Sequence, residues 1–330
     1  MSEHKTQSER PTTGLVLGKF MPPHNGHVYL AEFAQSYCDE LTIYVDSLSD
    51  QTIPGALRAK WMAEMFPNAR VEHPDRENPQ YPEDHPDFWE IWRECLLAAS
   101  GGKVDYLFAS EDYGVKLAEV IGATFVPVDI GRTSIPISGT EIRNDPLANW
   151  DHLPRTVRPY FAKRVCIFGP ESSGKSTLTR DLAKHFNTIA VPEYARTHLE
   201  LRSGELDARD IPMIARGQMA SEDALAPNAN RLLFCDTDLL TTTIWSDWMF
   251  GGCEEWIVDE ARRRQYDLYL VTDVDVPWVE DQVRYLPEER RSFFDRCIQE
   301  LTALDRPFHI VNGSWEERFS SAVAAVDELL

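Results

Sequence analysis

The chain has 330 residues, with 33 Lys+Arg against 54 Asp+Glu and a formal charge of −21. At about 150 residues per domain the length predicts two domains, and 43% hydrophobic residues with nine tryptophans suit packed cores rather than disorder. A surface this acidic argues against a sequence-independent grip on nucleic acid, which needs cationic surface. Small phosphorylated ligands remain admissible, because they need only backbone N–H donors and a few local cations. No apolar run approaches the roughly 18 residues of a membrane span. Residues 1–13 are polar and read as a disordered lead rather than a signal peptide. Cys38, Cys95, Cys166, Cys235, Cys253 and Cys297 are widely spaced, form no CxxC pair and mostly sit in apolar runs. They read as reduced thiols of a cytoplasmic protein.

In chain order, Leu15–Leu17, Leu41–Val45, Tyr106–Ala109 and Phe125–Val128 read as strands. Amphipathic helical patterns at His27–Tyr37, Leu57–Met65, Phe88–Ala99 and Val115–Ile121 separate them. A seam follows at 145–163, where Asn144-Asp-Pro146 stops a helix and the Pro-bounded stretch 153–159 forms a connection. A second strand series occupies Val165–Phe168, Ile189–Val191, Leu232–Cys235, Leu268–Val271 and His309–Val311, again with helices between. Strand–helix alternation of this kind predicts an α/β protein of two doubly wound parallel sheets. The predicted organisation is a lead over 1–13, a first domain over 14–150, a linker over 151–163 and a second domain over 164–330. Ligands of such sheets sit at the carboxyl ends of strands.

The first strand runs into Gly18-Lys19-Phe20-Met-Pro-Pro-His24-Asn-Gly-His27 and then a helix. Glycine there permits close approach to a phosphate. His24 and His27 lie one helical turn apart, beside the positive end of the helix dipole, and can donate hydrogen bonds to phosphate oxygens. A Gly/Pro turn with two incidental surface histidines is the plainer alternative. Ile137-Ser138-Gly-Thr140-Glu-Ile-Arg143 follows the last strand of this half. Ser138 can cap a helix there, and Arg143 reaches the same region. The two segments match GxFxPxHxGH and ISxTxIR, so this half resembles the adenylyltransferases of the nucleotidyltransferase superfamily. That resemblance implies that His24 and His27 contact ATP phosphates and that Arg143 holds the departing pyrophosphate. It also puts Gly18, Lys19, Phe20, Ser138 and Thr140 against the nucleotide, with Arg132 a further phosphate contact. Trp89 and Trp92 lie three residues apart on one helix face. Either both pack in the core, or one offers a stacking face to a flat cationic ring such as nicotinamide.

In the second half, Arg164-Val-Cys-Ile-Phe-Gly169-Pro-Glu171-Ser172-Ser173-Gly174-Lys175-Ser176-Thr177 fits GxxxxGK[ST] in its strand–loop–helix context. Backbone N–H groups would cradle a β-phosphate, Lys175 would span β and γ, and Ser176 would ligate Mg²⁺. No Asn-Lys-x-Asp guanine-reading motif appears. Carboxylates end two strands: Glu193 after the second, Asp236 and Asp238 after the third. One should orient water on Mg²⁺, Asp236 being the metal candidate, and one should accept a proton from a substrate hydroxyl. The residues leave open which of the three is the base, and Asp238 reads equally well as a helix cap. Tyr194, Arg196 and Trp278 are substrate-contact candidates. Arg284, Arg290 and Arg291 fall where kinases of this fold carry a phosphate-closing lid.

The two halves in this order, with the Tyr81–Trp92 stretch, Asp236-Thr-Asp238 and Pro277-Trp278-Val279, resemble the bifunctional nicotinamide-nucleotide adenylyltransferase/ribosylnicotinamide kinase family across about residues 14–325. The resemblance implies a two-step salvage route. The C-terminal half would phosphorylate nicotinamide riboside with MgATP. The N-terminal half would then join AMP from a second ATP to nicotinamide mononucleotide, giving NAD and pyrophosphate. Some members carry an N-terminal helix-turn-helix repressor domain. The first strand starts near Gly14 here, so DNA binding is not expected. Two other readings stay open: the same chemistries on another small phosphorylated substrate, or a sensor that binds ATP and NAD without turnover. Assembly into a homo-oligomer is likewise left open.

Overall fold

The computed structural model describes residues 10–202, 205–280 and 287–330. The chain divides into two compact units, one ending at Val157 and the other beginning at Arg158. Predicted features at residues 1–9 and at Arg284 lie outside the described residues. Residues 10–13, read above as part of a lead, are tied down: Arg10 pairs with Asp105 at 2.5 Å, and Asp39 accepts from the Thr12 N–H at 2.7 Å.

The first unit runs β1 (Thr13–Gly18), α1 (Asn25–Tyr37), β2 (Glu40–Val45), α2 (Gly55–Met65), β3 (Arg70–Glu72), α3 (Phe88–Ala99), β4 (Tyr106–Ala109), α4 (Tyr113–Ile121), β5 (Thr124–Pro127) and α5 (Gly139–Asn144). Its five strands pair in parallel in the order β3-β2-β1-β4-β5. The interior strands are buried on both faces, which is why they read as continuous apolar runs rather than alternating ones. Helix α3 buries Phe88, Trp92, Cys95 and Leu96, a stripe spaced for one helical face. The order reverses at β1, whose neighbours β2 and β4 carry the chain to opposite sides. A crevice therefore opens beyond the carboxyl ends of β1 and β4.

The second unit runs α6 (Arg158–Phe161), β6 (Lys163–Phe168), α7 (Lys175–His185), β7 (Ile189–Val191), α8 (Tyr194–Glu200), α9 (Ile211–Leu225), β8 (Leu232–Asp236), α10 (Leu239–Phe250), α11 (Glu255–Arg263), β9 (Leu268–Thr272), α12 (Arg290–Ala303), β10 (Phe308–Val311) and α13 (Trp315–Asp327). The parallel order is β10-β9-β6-β8-β7, with β6 at the centre. The loop after β6 thus emerges at the switch point of this sheet. Among the described residues no helix is long and apolar enough to cross a membrane. All six cysteines are free, and all but Cys253 are buried.

The one strand absent from the sequence reading is β3. Its three residues, Arg-Val-Glu, are too few and too polar to show periodicity, and it exists because β2 offers an edge to pair with. The seam is ordered: Trp150, Leu153 and Val157 are buried in the first unit.

Candidate active sites

In the first unit the chain leaves β1 at Gly18, turns through Phe20 at φ 48° and enters α1 at His24. His24 is the N-cap. Its backbone is extended (φ −141°, ψ 171°), and its Nδ1 accepts the Gly26 N–H at 3.1 Å. A ring whose Nδ1 accepts carries its neutral-state proton on Nε2, which leaves that N–H as a donor. The His27 ring lies against it, with centroids 3.8 Å apart and planes 32° apart, and Phe20 packs edge-on at 4.9 Å. Burial, reinforced by Arg132 and His152, lowers the His24 pKa to about 4. Burial, and then His24 and Arg132, also hold the His27 ring well below the usual histidine range. Both rings are therefore neutral near pH 7, and each offers one N–H. The Nδ1 of His27 is buried without a hydrogen-bond partner. An anion brought against this pair would favour their charged forms.

Helix α5 closes the same space. Ser138 caps it through a reciprocal pair: its hydroxyl accepts the Glu141 N–H at 3.2 Å, and Glu141 Oε2 accepts the Ser138 N–H at 2.8 Å. A Cβ at Gly139 would fall 2.9 Å from the Met21 carbonyl oxygen, so glycine is what lets α5 approach the β1–α1 loop. Arg143 donates to the Met21 carbonyl and to Thr140 Oγ1 (3.0 Å), tying the two segments together. The resulting cavity, of about 790 Å³, is lined by Gly18, Lys19, Phe20, His24 and His27 from one segment and by Ser138, Thr140 and Arg143 from the other, and Trp89 and Trp92 complete it. Arg132 also lines it and pairs with Glu111 at 3.2 Å.

The two indoles differ. Trp92 is 7% exposed, and its Nε1 donates to the Pro79 carbonyl at 3.0 Å, so it packs as core. Trp89 is half-buried, lies perpendicular to the Phe88 ring with centroids 4.9 Å apart, and lines the cavity.

Sequence reasoning missed a polar cluster beneath this cavity. Asp46 follows β2 and is 3% exposed. It accepts from Gln80 Nε2 at 2.9 Å, and Asn78 Nδ2 approaches it at 3.5 Å. Burial raises its carboxyl, while Gln80, Lys19 and Arg58 oppose that. Arg58 of α2 is fully buried and donates to the Lys19 and Asp46 carbonyls and to Gln51 Oε1 (2.6 Å). A lone Asp after a strand and an Arg inside a helix carry no motif. Only the fold brings them to the floor of the site.

In the second unit the loop from Gly169 to Gly174 joins β6 to α7. Ser172 (φ 53°) and Gly174 (φ 91°) take left-handed backbone, the alternation that turns successive N–H groups inward around an anion. A side chain at Gly174 would also meet the Trp315 ring at 2.6 Å. Lys175 Nζ donates to the Pro170 carbonyl at 2.8 Å. Ser173 Oγ donates to the same carbonyl at 2.7 Å and shares a 2.6 Å hydrogen bond with Thr272 Oγ1. Arg318 of α13, 2% exposed, donates to the carbonyls of Ser173 (2.8 Å) and Asp273 (2.9 Å) and pairs with Asp275. It buttresses the loop from behind, and no sequence motif announces it.

A cavity of about 120 Å³ faces this loop, lined by Glu171, Ser172, Ser173, Gly174, Lys175 and Ser176 on one side and by Glu193 and Arg196 on the other. Thr177 lines a neighbouring cleft with Trp315. Burial, with Asp236 and Glu171 adding repulsion, raises the Glu193 carboxyl to about 7, although Lys175 and Arg196 oppose the rise. Asp236 ends β8 and is hydrogen-bonded to the Ser176 hydroxyl, while burial pushes its carboxyl up. Its Oδ1 is buried without a partner. That orphaned oxygen beside a hydroxyl fits a phosphate-bound divalent cation and its water shell. Among the described residues no cluster of three or more His, Cys, Asp or Glu could hold a metal by itself.

Five candidates stand elsewhere. Asp238 caps α10: its Oδ1 accepts from the Thr241 N–H (2.9 Å) and hydroxyl (3.2 Å), and its Oδ2 from the Tyr269 hydroxyl (2.9 Å). The geometry matches the capping alternative, and Asp238 does not line the cavity. Tyr194 packs on α9, where a Cβ at Gly217 would fall 2.1 Å from its ring. Trp278 lies under the Arg290 guanidinium at 5.8 Å, and Arg290 itself donates to the Ser172 and Val276 carbonyls at 3.0 Å. Arg291 pairs with Asp273 at 2.6 Å. At the start of α12, Arg290 thus braces the loop backbone, while Arg291 is held by a carboxylate that follows β9.

A family model described as an AAA domain matches residues 164–318. The chain is 31% identical over 343 residues to the trifunctional NAD biosynthesis/regulator protein NadR of Salmonella typhimurium, covering 96% of this chain and 83% of that protein. The corresponding Escherichia coli protein is 31% identical over 350 residues, covering 98% and 84%.

The chain belongs to the NadR family.

A crystal structure of NadR protein in complex with NR shares the fold at a TM-score of 0.79 and 23% identity, covering 96% of this chain and 95% of that one. A shorter relative, the nicotinamide-nucleotide adenylyltransferase of Thermococcus kodakarensis, is 29% identical over 153 residues, covering 44% of this chain and 80% of that protein. In this NadR-family chain, therefore, each of the two constellations sits at the switch point of its own sheet.

Proposed function

We propose that the chain is a two-site NAD-salvage enzyme, a ribosylnicotinamide kinase joined to a nicotinamide-nucleotide adenylyltransferase. The observation that carries this is the presence of two phosphate-gripping loops, at 18–27 and 169–177, in a chain 31% identical across most of its length to NadR.

In the kinase unit the 5′-hydroxyl of nicotinamide riboside attacks the γ-phosphorus of ATP, and ADP leaves. Glu193 is the base. It faces the loop across the cavity, and its carboxyl near 7 is poised to take the hydroxyl proton at neutral pH. Lys175 turns from the Pro170 carbonyl to the β and γ oxygens. Ser176 and Asp236 are the residues that would hold Mg²⁺, which when bound supplies charge neutralisation between those oxygens.

In the adenylyltransferase unit the phosphate of nicotinamide mononucleotide attacks the α-phosphorus of a second ATP, giving NAD and pyrophosphate. His24 and His27 donate to phosphate oxygens, and Arg143 stabilises the charge that gathers on pyrophosphate. No group here forms a covalent intermediate; the catalysis is positioning and charge stabilisation. Trp89 offers the face on which the cationic pyridinium ring stacks. Nothing in this scheme calls for nucleic acid or for membrane insertion.

The test is mass-spectrometric identification of products after incubation with nicotinamide riboside and MgATP. Nicotinamide mononucleotide with ADP, followed by NAD with pyrophosphate, is the expected sequence. Consumption of uridine or pantothenate in preference to the riboside would contradict the assignment.

A further inference from the structure

Helix α8 begins in an uncommon way. Glu193 is its N-cap, yet the Glu193 side chain makes no capping hydrogen bond. A carboxylate in that position ordinarily accepts from the first turn of its own helix. Here the carboxylate stays off the helix, and the Tyr194 N–H donates at 3.0 Å to Gln218 Oε1, which reaches over from α9. Gln218 is 2% exposed and lines the cavity that faces the phosphate loop. Beside it, Gly217 lets the Tyr194 ring lie directly against α9.

The other end of the same amide reaches the second carboxylate loop. Gln218 Nε2 approaches the Thr237 carbonyl at 3.4 Å, the longer of its two contacts. Thr237 has φ 70°, a left-handed backbone that a β-branched residue rarely adopts. Its N–H donates to the Ile167 carbonyl at 3.1 Å, so this residue is gripped on both sides and makes a firm anchor. The partners set the amide orientation, because a peptide N–H only donates and a carbonyl only accepts. One buried side chain thereby joins the peptide after Glu193 to the turn after Asp236. Glu193 lines the cavity, and Asp236 is hydrogen-bonded to the Ser176 hydroxyl.

We infer that Gln218 is a positioning residue for phosphoryl transfer: anchored on the turn after Asp236, its amide holds the peptide after Glu193 and so aims the Glu193 carboxylate. The inference rests on the kinase reading, with Glu193 as base. The Tyr194 N–H belongs to the planar peptide whose carbonyl is that of Glu193. Holding it fixes the direction in which the Glu193 side chain leaves the backbone. Proton transfer needs a heavy-atom separation of about 2.6–3.2 Å, and a displacement of about 1 Å can cost about 10²-fold in rate. Losing the amide should slow transfer and spare binding, since Lys175 and the phosphate loop are held by other contacts.

The test compares phosphorylation of nicotinamide riboside, followed with γ-labelled ATP, in the full chain, Gln218→Met, Glu193→Gln and the double variant. Gln218→Met keeps the side-chain length and removes both hydrogen-bonding ends. Its kcat should fall about 10–100-fold, while KM for the riboside and for ATP stays within about twofold of wild type. In the Glu193→Gln background the same substitution should cost less than about threefold, because the base it aims is already gone. Gln218→Asn, too short to span both loops, decides the question in the same cycle if Gln218→Met does not fold. A kcat unchanged by the substitution overturns the inference, and a KM for the riboside that rises instead would make Gln218 a substrate contact. Equal factors lost in both backgrounds overturn it too, leaving Gln218 a packing residue. A Glu193→Gln variant as fast as wild type would overturn the base assignment, and this inference with it. A wild-type chain that phosphorylates no riboside would overturn the kinase reading itself.

Discussion

Glu193→Gln separates the catalytic role of this carboxyl from its structural cost. Folding lifts the group from an ordinary 4.5 to about 7, chiefly through burial. At about 1.4 kcal/mol per pH unit, that gap is worth up to about 3 kcal/mol. The side chain borders an open cavity, so solvent screening brings the expected figure to about 1–3 kcal/mol. The sign follows from proton binding. Between pH 4.5 and 7 the folded chain holds this proton more tightly than the unfolded chain does. The group's contribution to stability is therefore full below 4.5 and is lost as pH rises through 7. Glutamine cannot ionise, so the variant should gain on the wild type from pH 5 to pH 8 by that 1–3 kcal/mol, read from denaturant unfolding at each pH. Kinase activity should move the other way. Wild-type kcat should rise through about pH 7 as the base ionises, whereas the variant should be about 10²–10⁴-fold slower and lack that limb. A variant that keeps both its rate and the rising limb would refute the assignment of Glu193 as base. A rising limb lost in Asp236→Asn but kept in Glu193→Gln would refute it equally.

Three further outcomes follow from the geometry. His27→Ala should cut adenylyl transfer by about 10²-fold or more and leave riboside phosphorylation intact; loss of both activities in a folded protein would contradict two independent sites. Trp89→Ala should raise the KM for nicotinamide mononucleotide by a factor set by about 1–2 kcal/mol of lost cation–π contact, a shift that steady-state kinetics resolves and that a purely structural Trp89 would not produce. Arg318→Met should destabilise by about 1–3 kcal/mol, because the buried Ser173 and Asp273 carbonyls lose their donor, while Asp275 keeps the Gly313 N–H and partial access to solvent. A thermal midpoint within a degree or two of wild type would show that the buttress is dispensable.

The sheets are legible in the sequence because doubly buried parallel strands leave continuous apolar runs. Tyr106–Ala109 and Ile189–Val191 coincide with β4 and β7 to the residue. The two phosphate loops are legible because glycine, histidine and lysine there answer to local backbone demands at fixed spacing. What escapes is whatever depends on chain segments far apart. Arg318 reaches Ser173 across 145 positions, and Asp46 meets Gln80 across 34. Asp238 illustrates a different limit. A carboxylate after a strand and before a helix serves chemistry or a cap with the same sequence, and here the Thr241 and Tyr269 contacts supply the cap.

The central claim is that one site breaks ATP at its γ-phosphorus and the other at its α-phosphorus, in succession on one substrate. Incubating the chain with nicotinamide riboside and ATP labelled distinguishably at both the α- and the γ-phosphate tests it directly. NAD should carry both labels, the γ-label appearing first in nicotinamide mononucleotide. Lys175→Ala supplied with the mononucleotide should place only the α-label in NAD. NAD bearing one label in the wild-type reaction, or an α-label that disappears with Lys175, would contradict the account.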